Sequence, residues 1–186
     1  MTRKKDLLDE AIWTGKALAN GWQALAGGIV EVIEPATGKP LARVARANAD
    51  DVRSSAAQAK QAQKAWAAMP YGERAKIFRK AADLVEQHRA TLTTWAVRET
   101  GCIPPKAMFE IESVIHLCHE AAAMLTQPRG LVLPSVEGVS SVARRVPHGV
   151  VGVISPFNFP LVLTSRATLP ALACGNAVVL KPDART

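Results

Sequence analysis

Two apolar runs near the carboxyl end, Val150–Ile154 and Ala177–Leu180, flank a helix-compatible stretch, Leu161–Ala173, that includes Pro170. Strand, helix and strand in that order make a βαβ unit, so the two runs are predicted to lie parallel in one sheet, joined by a right-handed crossover. Unbroken apolar character suits strands covered on both faces. A parallel pair also needs neighbouring strands, yet the sequence reaches only Thr186, a few residues past the second run. The expected class is therefore α/β, with residues 149–186 as the opening βαβ of a sheet larger than this sequence can complete.

Upstream, the pattern is helical with two hairpins. Gly28-Ile-Val-Glu-Val-Ile-Glu and Leu41-Ala-Arg-Val-Ala enclose a Pro/Gly turn and read as a hairpin. Asn48 and Asp50 offer N-caps to a helix running to about Met69, with Val52, Ala56, Ala59, Ala62 and Trp66 on one face and Pro70 as its stop. A second long helix is expected from Glu73 to Glu99, burying Ile77, Ala81, Leu84, Val85, Leu92, Trp95 and Ala96, with Gly101 as C-cap. Pro104-Pro105 opens a third, to about Leu125. Leu131–Pro134 and Ser140–Val146 alternate as strands. The division expected is 1–130, 131–148 and 149–186.

Composition narrows the function. Apolar residues are 48% and charged residues 21%, a folded rather than disordered balance. No apolar run approaches the roughly 20 residues of a membrane-spanning helix. The basic start, Met1-Thr-Arg-Lys-Lys-Asp, lacks the apolar core of a secretory leader, which points to the cytoplasm. Three cysteines, Cys102, Cys118 and Cys174, are too widely spaced for a disulfide framework or zinc ribbon and suit a reducing compartment. The net charge of +7 raises nucleic acid, but Arg74, Lys76, Arg79 and Lys80 alternate with Glu73, Asp83 and Glu86 and read as a solvated helix surface. With one Tyr and four Phe there is also little stacking capacity, so nucleic acid and membrane are excluded as partners.

Open α/β sheets bind ligands beyond the carboxyl ends of their strands. Ser155-Pro156-Phe157-Asn158-Phe159-Pro160 follows the first run and Lys181-Pro182-Asp183 the second. A carboxamide and an ammonium are thereby brought to one side of a sheet, suited to an oxyanion and to a ribose or phosphate. No G-x-G-x-x-G accompanies them, so these residues by themselves leave the function open.

The joint pattern closes the gap by resemblance. Gly149-Val-Val-Gly-Val-Ile-Ser-Pro-Phe-Asn-Phe-Pro, with Leu169-Pro-Ala-Leu-Ala-Cys-Gly-Asn-Ala-Val-Val-Leu-Lys-Pro-Asp at fixed separation, resembles the aldehyde dehydrogenase superfamily. Glu34-Pro-Ala-Thr-Gly, Trp66-Ala-Ala-Met-Pro-Tyr-Gly-Glu-Arg and Arg98-Glu-Thr-Gly agree with it. Ile12-Trp13-Thr-Gly-Lys, Gly101-Cys-Ile-Pro-Pro-Lys and the Lys-Pro-Asp ending are similar to the benzaldehyde dehydrogenase subgroup.

The resemblance implies NAD(P)-dependent oxidation of an aromatic aldehyde to a carboxylic acid, with NAD or NADP as cofactor and no metal. It makes residues 149–186 the first βαβ of a Rossmann-like cofactor domain, 131–148 a bridging hairpin of a homo-oligomer, and the catalytic domain absent. Asn158 matches the oxyanion-hole asparagine, Lys181 the lysine on the adenosine ribose, and Ile154, Ser155, Pro156 and Phe157 the wall of the cofactor cleft. Phe157 replaces the usual Trp, and Ala184 stands where NAD-preferring members place a glutamate. The pyrophosphate turn, glutamate base and nucleophilic cysteine belong beyond Thr186, so these residues alone are expected to be inactive. An alternative expectation is a non-catalytic partner of intact subunits. His116-Leu-Cys118-His119 with Glu112 and Glu120 is too weak a pattern for a metal site.

Overall fold

The computed structural model describes residues 9–184, so the basic start read for a leader lies outside the described residues. A short helix, α1 (Glu10–Trp13), and the antiparallel two-residue strands β1 (Ala17–Leu18) and β2 (Trp22–Gln23), none foreseen from the sequence, precede the first of the two hairpins read from the sequence. That hairpin pairs β3 (Ile29–Glu34) with β4 (Lys39–Ala45) in antiparallel register, with a shift between Val32 and Ile33. It is docked from below. Arg98 Nε donates to Glu34 Oε1 at 2.9 Å, and the Arg98 guanidinium also lies over the Trp95 ring.

Helix α2 (Ala49–Ala68) starts where its cap dictates. Asn48 Oδ1 accepts the N–H groups of Asp50 and Asp51 at 2.9 Å, and Asp51 Oδ2 accepts the Asn48 N–H in return. The same Asp51 oxygen takes the N–H of Ala26, tying helix to hairpin. Val52 is 51% exposed and Ala62 is also exposed, so the inward stripe is Ala56, Ala59, Gln63, Trp66 and Ala67 instead.

The long helix expected over 73–99 is two helices, α3 (Tyr71–Gln87) and α4 (Arg89–Thr100). His88 separates them at φ −105°, ψ 15°, with neither proline nor glycine present. The break lets both segments lie along α5 (Pro104–Met124), which also packs on α6 (Pro160–Ala173). Propensity yields here to tertiary packing.

The buried face of α3 is also rotated from the one expected. Ala75, Phe78 and Ala82 face inward, whereas Ile77 and Leu84 are exposed. Small residues permit close approach: Ala75 and Phe78 pack with Ala121, Ala122, Leu125 and Ala173, and Ala82 packs with Ile111, Ile115 and Cys118. Arg74, read as part of a solvated surface, is 1% exposed. Gly101 takes the left-handed C-cap at φ 68°, as its position suggested.

Beyond α5, β5 (Gly130–Leu133) pairs with β6 (Ser141–Arg144) in a second antiparallel hairpin. A Cβ at Gly130 would collide with the carbonyl oxygen of Ala143, which is why the smallest residue opens this strand. Finally β7 (Val150–Ile154) and β8 (Ala177–Lys181) run parallel, linked through α6, with α2 also packed against them. The α/β class, with helices, the hairpin over 130–144 and the opening βαβ, is the one expected. No helix among the described residues is long and apolar enough to cross a membrane.

Candidate active site

The register of the parallel pair places the two motifs. Val150 is opposite Ala177 and Ile154 is opposite Lys181, so both strands end at the same edge. The ladder continues one step further, with the Ser155 N–H donating to the Lys181 carbonyl at 3.0 Å. The loop 155–159 and the residues after Lys181 therefore leave the sheet side by side. At the opposite edge Asn176, 4% exposed, sets the register. Its Oδ1 accepts the Gly149 N–H at 3.0 Å and its Nδ2 donates to Ala171 at 2.9 Å.

The six residues expected here fall into two groups. Ile154 is 80% exposed, and Phe157, Asn158 and Lys181 are exposed beside it, with Pro156 half-buried. Ser155 is 4% exposed, and its hydroxyl is bonded to the Thr164 hydroxyl on α6. Its backbone faces the sheet edge while its side chain anchors the loop. Lys181 Nζ donates to the Pro182 carbonyl at 2.8 Å, which leaves two further N–H donors on the ammonium.

The loop is gripped from α5. Phe159, the N-cap of α6, supplies no side-chain cap, and Pro160 fills the first helical position. Instead Glu110, 1% exposed, reaches across. Its Oε2 accepts the N–H groups of Leu161 at 2.9 Å and Val162 at 3.3 Å, and its Oε1 pairs with Lys106. Lys106 Nζ in turn lies 4.4 Å from the Phe159 ring centroid, and Phe109 meets that ring edge-on at 6.4 Å.

Lys106, Phe109 and Glu110 thus hold one short segment from one helix face. Because Glu110 takes free N–H groups of the first turn, the positive end of the α6 dipole is already balanced. Asn158 is then the exposed side-chain hydrogen-bond donor of the loop. Sequence reasoning missed Glu110. Its signal was a carboxylate in helical register with Ala107, Val114, Cys118 and Ala121, on the face that faces the core.

The other end of α6 is also closed by distant side chains. Trp66 Nε1 donates to the Leu172 carbonyl at 2.8 Å, Gln63 Nε2 to that of Gly175 at 2.8 Å, and Arg74 Nη1 to that of Ala173 at 3.0 Å. None of the three cysteines belongs to the loop that carries Asn158. Cys174 stands at the far end of α6, about 20 Å along the helix. Cys118 is buried against Ile111 and Ile115, and burial raises its thiol pKa. Cys102 Sγ lies 3.9 Å from the Ala96 carbonyl at the end of α4. On α5, His116 Nε2 is 3.2 Å from Glu112 Oε1, and Glu112 also pairs with Arg89; among the described residues no three His, Cys, Asp or Glu side chains group closely enough to hold a metal.

A parallel pair ending in a carboxamide loop and a lysine defines a class, and comparison with known proteins gives it a name. Residues 22–186 match the aldehyde dehydrogenase family, and the chain belongs to that family. It is 54% identical over 179 residues to a vanillin dehydrogenase of Amycolatopsis sp., and 43% identical over 183 residues to a benzaldehyde dehydrogenase [NAD(+)] of Pseudomonas putida. These alignments cover 96% and 98% of this chain but 37% and 38% of the relatives, so the chain spans little more than a third of their length. The crystal structure of a NAD-dependent benzaldehyde dehydrogenase from Corynebacterium glutamicum superposes with a TM-score of 0.88 at 37% identity, covering 96% of this chain and 39% of that one.

Proposed function

We propose that these residues supply the oxyanion donor and one wall of the cofactor cleft in an enzyme that oxidises an aromatic aldehyde to its carboxylic acid with NAD⁺ or NADP⁺. One observation carries the reading. The β7–β8 register ends both strands together, so Asn158 and Lys181 leave the sheet at a shared edge joined by the Ser155–Lys181 hydrogen bond. The names of the vanillin and benzaldehyde dehydrogenase relatives support the aromatic substrate.

The residues fit a dinucleotide. The exposed Lys181 ammonium suits ribose hydroxyls, and Ile154, Pro156 and Phe157 form an apolar wall. When bound, the cofactor supplies the hydride acceptor. Asn158 donates from Nδ2 to the aldehyde oxygen as negative charge develops on it, a contribution of about 3–4 kcal/mol. Ser155, tied to Thr164, keeps the loop's backbone against the sheet edge. On this reading none of the three thiols serves as the nucleophile, and residues 1–186 by themselves do not oxidise aldehydes. The unpaired thiols suit a reducing, cytoplasmic compartment.

A second observation favours assembly. The β5–β6 hairpin exposes Leu131, Val132, Val136 and Val146 at 64–81%, more apolar surface than a solvated hairpin normally carries. On this reading residues 131–148 bridge subunits of a homo-oligomer, and the 186 residues can associate with intact subunits.

The test compares two polypeptides. Purified residues 1–186 form no NAD(P)H from benzaldehyde, whereas a longer polypeptide carrying the same residues does. In the latter Asn158→Ala lowers kcat by about 10²–10³. Turnover by residues 1–186, or full turnover by Asn158→Ala, rejects the reading.

A further inference from the structure

The structure assigns Glu110 as the positioning residue for Asn158, acting from α5 through the amino end of α6; the assignment rests on the reading of Asn158 given above. Only Phe159 separates Asn158 from the helix, and both it and the first helical residue, Pro160, are restrained. Pro160 has a fixed φ, and the Phe159 ring is gripped by Lys106 and Phe109. The first turn that follows hangs on a single oxygen, Glu110 Oε2, through Leu161 and Val162. Its other oxygen is paired with Lys106, the same ammonium that covers Phe159.

One buried carboxylate therefore fixes the helix start and the cation on the N-cap ring together. A carboxylate 1% exposed is costly to keep unless paired, and each of its partners here belongs either to the loop's anchor or to the residue gripping it. With Glu110 removed, the first turn of α6 frays and the carboxamide two residues ahead loses its fixed place. Misplacement of a transition-state donor by about 1 Å costs up to about a hundredfold in rate.

The test is a double-mutant cycle in the longer polypeptide that carries this chain. Glu110→Ala is expected to lower kcat by about tenfold to a hundredfold with the aldehyde KM changed less than about threefold. Glu110→Gln, which keeps an acceptor for Leu161, recovers part of the loss. In an Asn158→Ala background, Glu110→Ala costs less than about twofold, because the group it positions is gone. Equal losses in both backgrounds mean a general structural role and overturn the assignment.

Hydrogen exchange supplies a readout independent of turnover. Exchange across residues 155–163 rises at least about tenfold in Glu110→Ala, with the rest of α6 less affected. Unchanged exchange overturns the assignment whatever the kinetics show. Wild-type kcat in Asn158→Ala instead removes the functional reading, and exchange then decides the clamp alone.

Discussion

Arg74 Nη1 donates to the carbonyl of Ala173 at 3.0 Å, closing the carboxyl end of α6 with a side chain 99 residues away. The guanidinium also stacks beside Trp66, 5.8 Å from its ring centroid, while Trp66 itself caps Leu172. A cation at a helix carboxyl end opposes the dipole, and a buried carbonyl without a donor is costly. Arg74→Ala is expected to lower stability by about 2–4 kcal/mol in urea unfolding, and Arg74→Lys to recover little because it lacks the planar fork. A loss under about 0.5 kcal/mol would show the cap to be idle.

Asn176 makes a sharper test, because its two functions need opposite polarities. Asn176→Asp keeps an acceptor for Gly149 but turns an oxygen toward the Ala171 carbonyl. The expected loss at pH 7 is about 2–4 kcal/mol, larger than for removal of one ordinary hydrogen bond. Protonation restores a donor, so the deficit shrinks as pH falls toward about 4. A pH-independent deficit would contradict the assigned orientation of the carboxamide.

The Glu34–Arg98 pair predicts an acid-sensitive hairpin. The Arg98 hydrogen bond holds the Glu34 carboxyl below its ordinary value, with a smaller contribution from Thr37. A carboxylate depressed in the folded state stabilises above its unfolded pKa, about 4.3, and that stability is lost as pH falls through the folded value. Glu34→Gln is expected to be less stable than wild type at pH 7 and to show a shallower loss from about pH 5 downward. Raising salt narrows the difference between them. Parallel pH–stability curves would rule the pair out as the source.

The three thiols differ in access. Cys174 is exposed, Cys102 half-buried, and Cys118 is 2% exposed with its pKa raised by burial. A thiol reagent at pH 7 should label Cys174 first and Cys118 at least about a hundredfold more slowly, through global opening only. The Cys118 rate should then rise with urea in step with unfolding. Early labelling of Cys118 would mean that α5 opens locally.

The βαβ unit and both hairpins were readable in the sequence because apolar runs, turn residues and the Asn48 and Gly101 caps are local signals. The strand ends that bring Asn158 and Lys181 together followed from the same pattern. His88 was not readable, since its break answers to packing on α5 and carries no breaker residue. Arg74 and Glu110 were hidden for a related reason. A charge counts as solvated in any binary pattern, and the partners that make burial tolerable, Ala173 and Leu161, lie 99 and 51 residues away.

The two-ended capping of α6 bears on how relatives can be recombined. A chimera joined at the β5–β6 hairpin would receive α6 from one parent and Gln63, Trp66, Arg74, Lys106 and Glu110 from the other. Those five side chains and the crossover helix they close behave as one heritable block, and a crossover point that splits them must match both parents at every one of those positions.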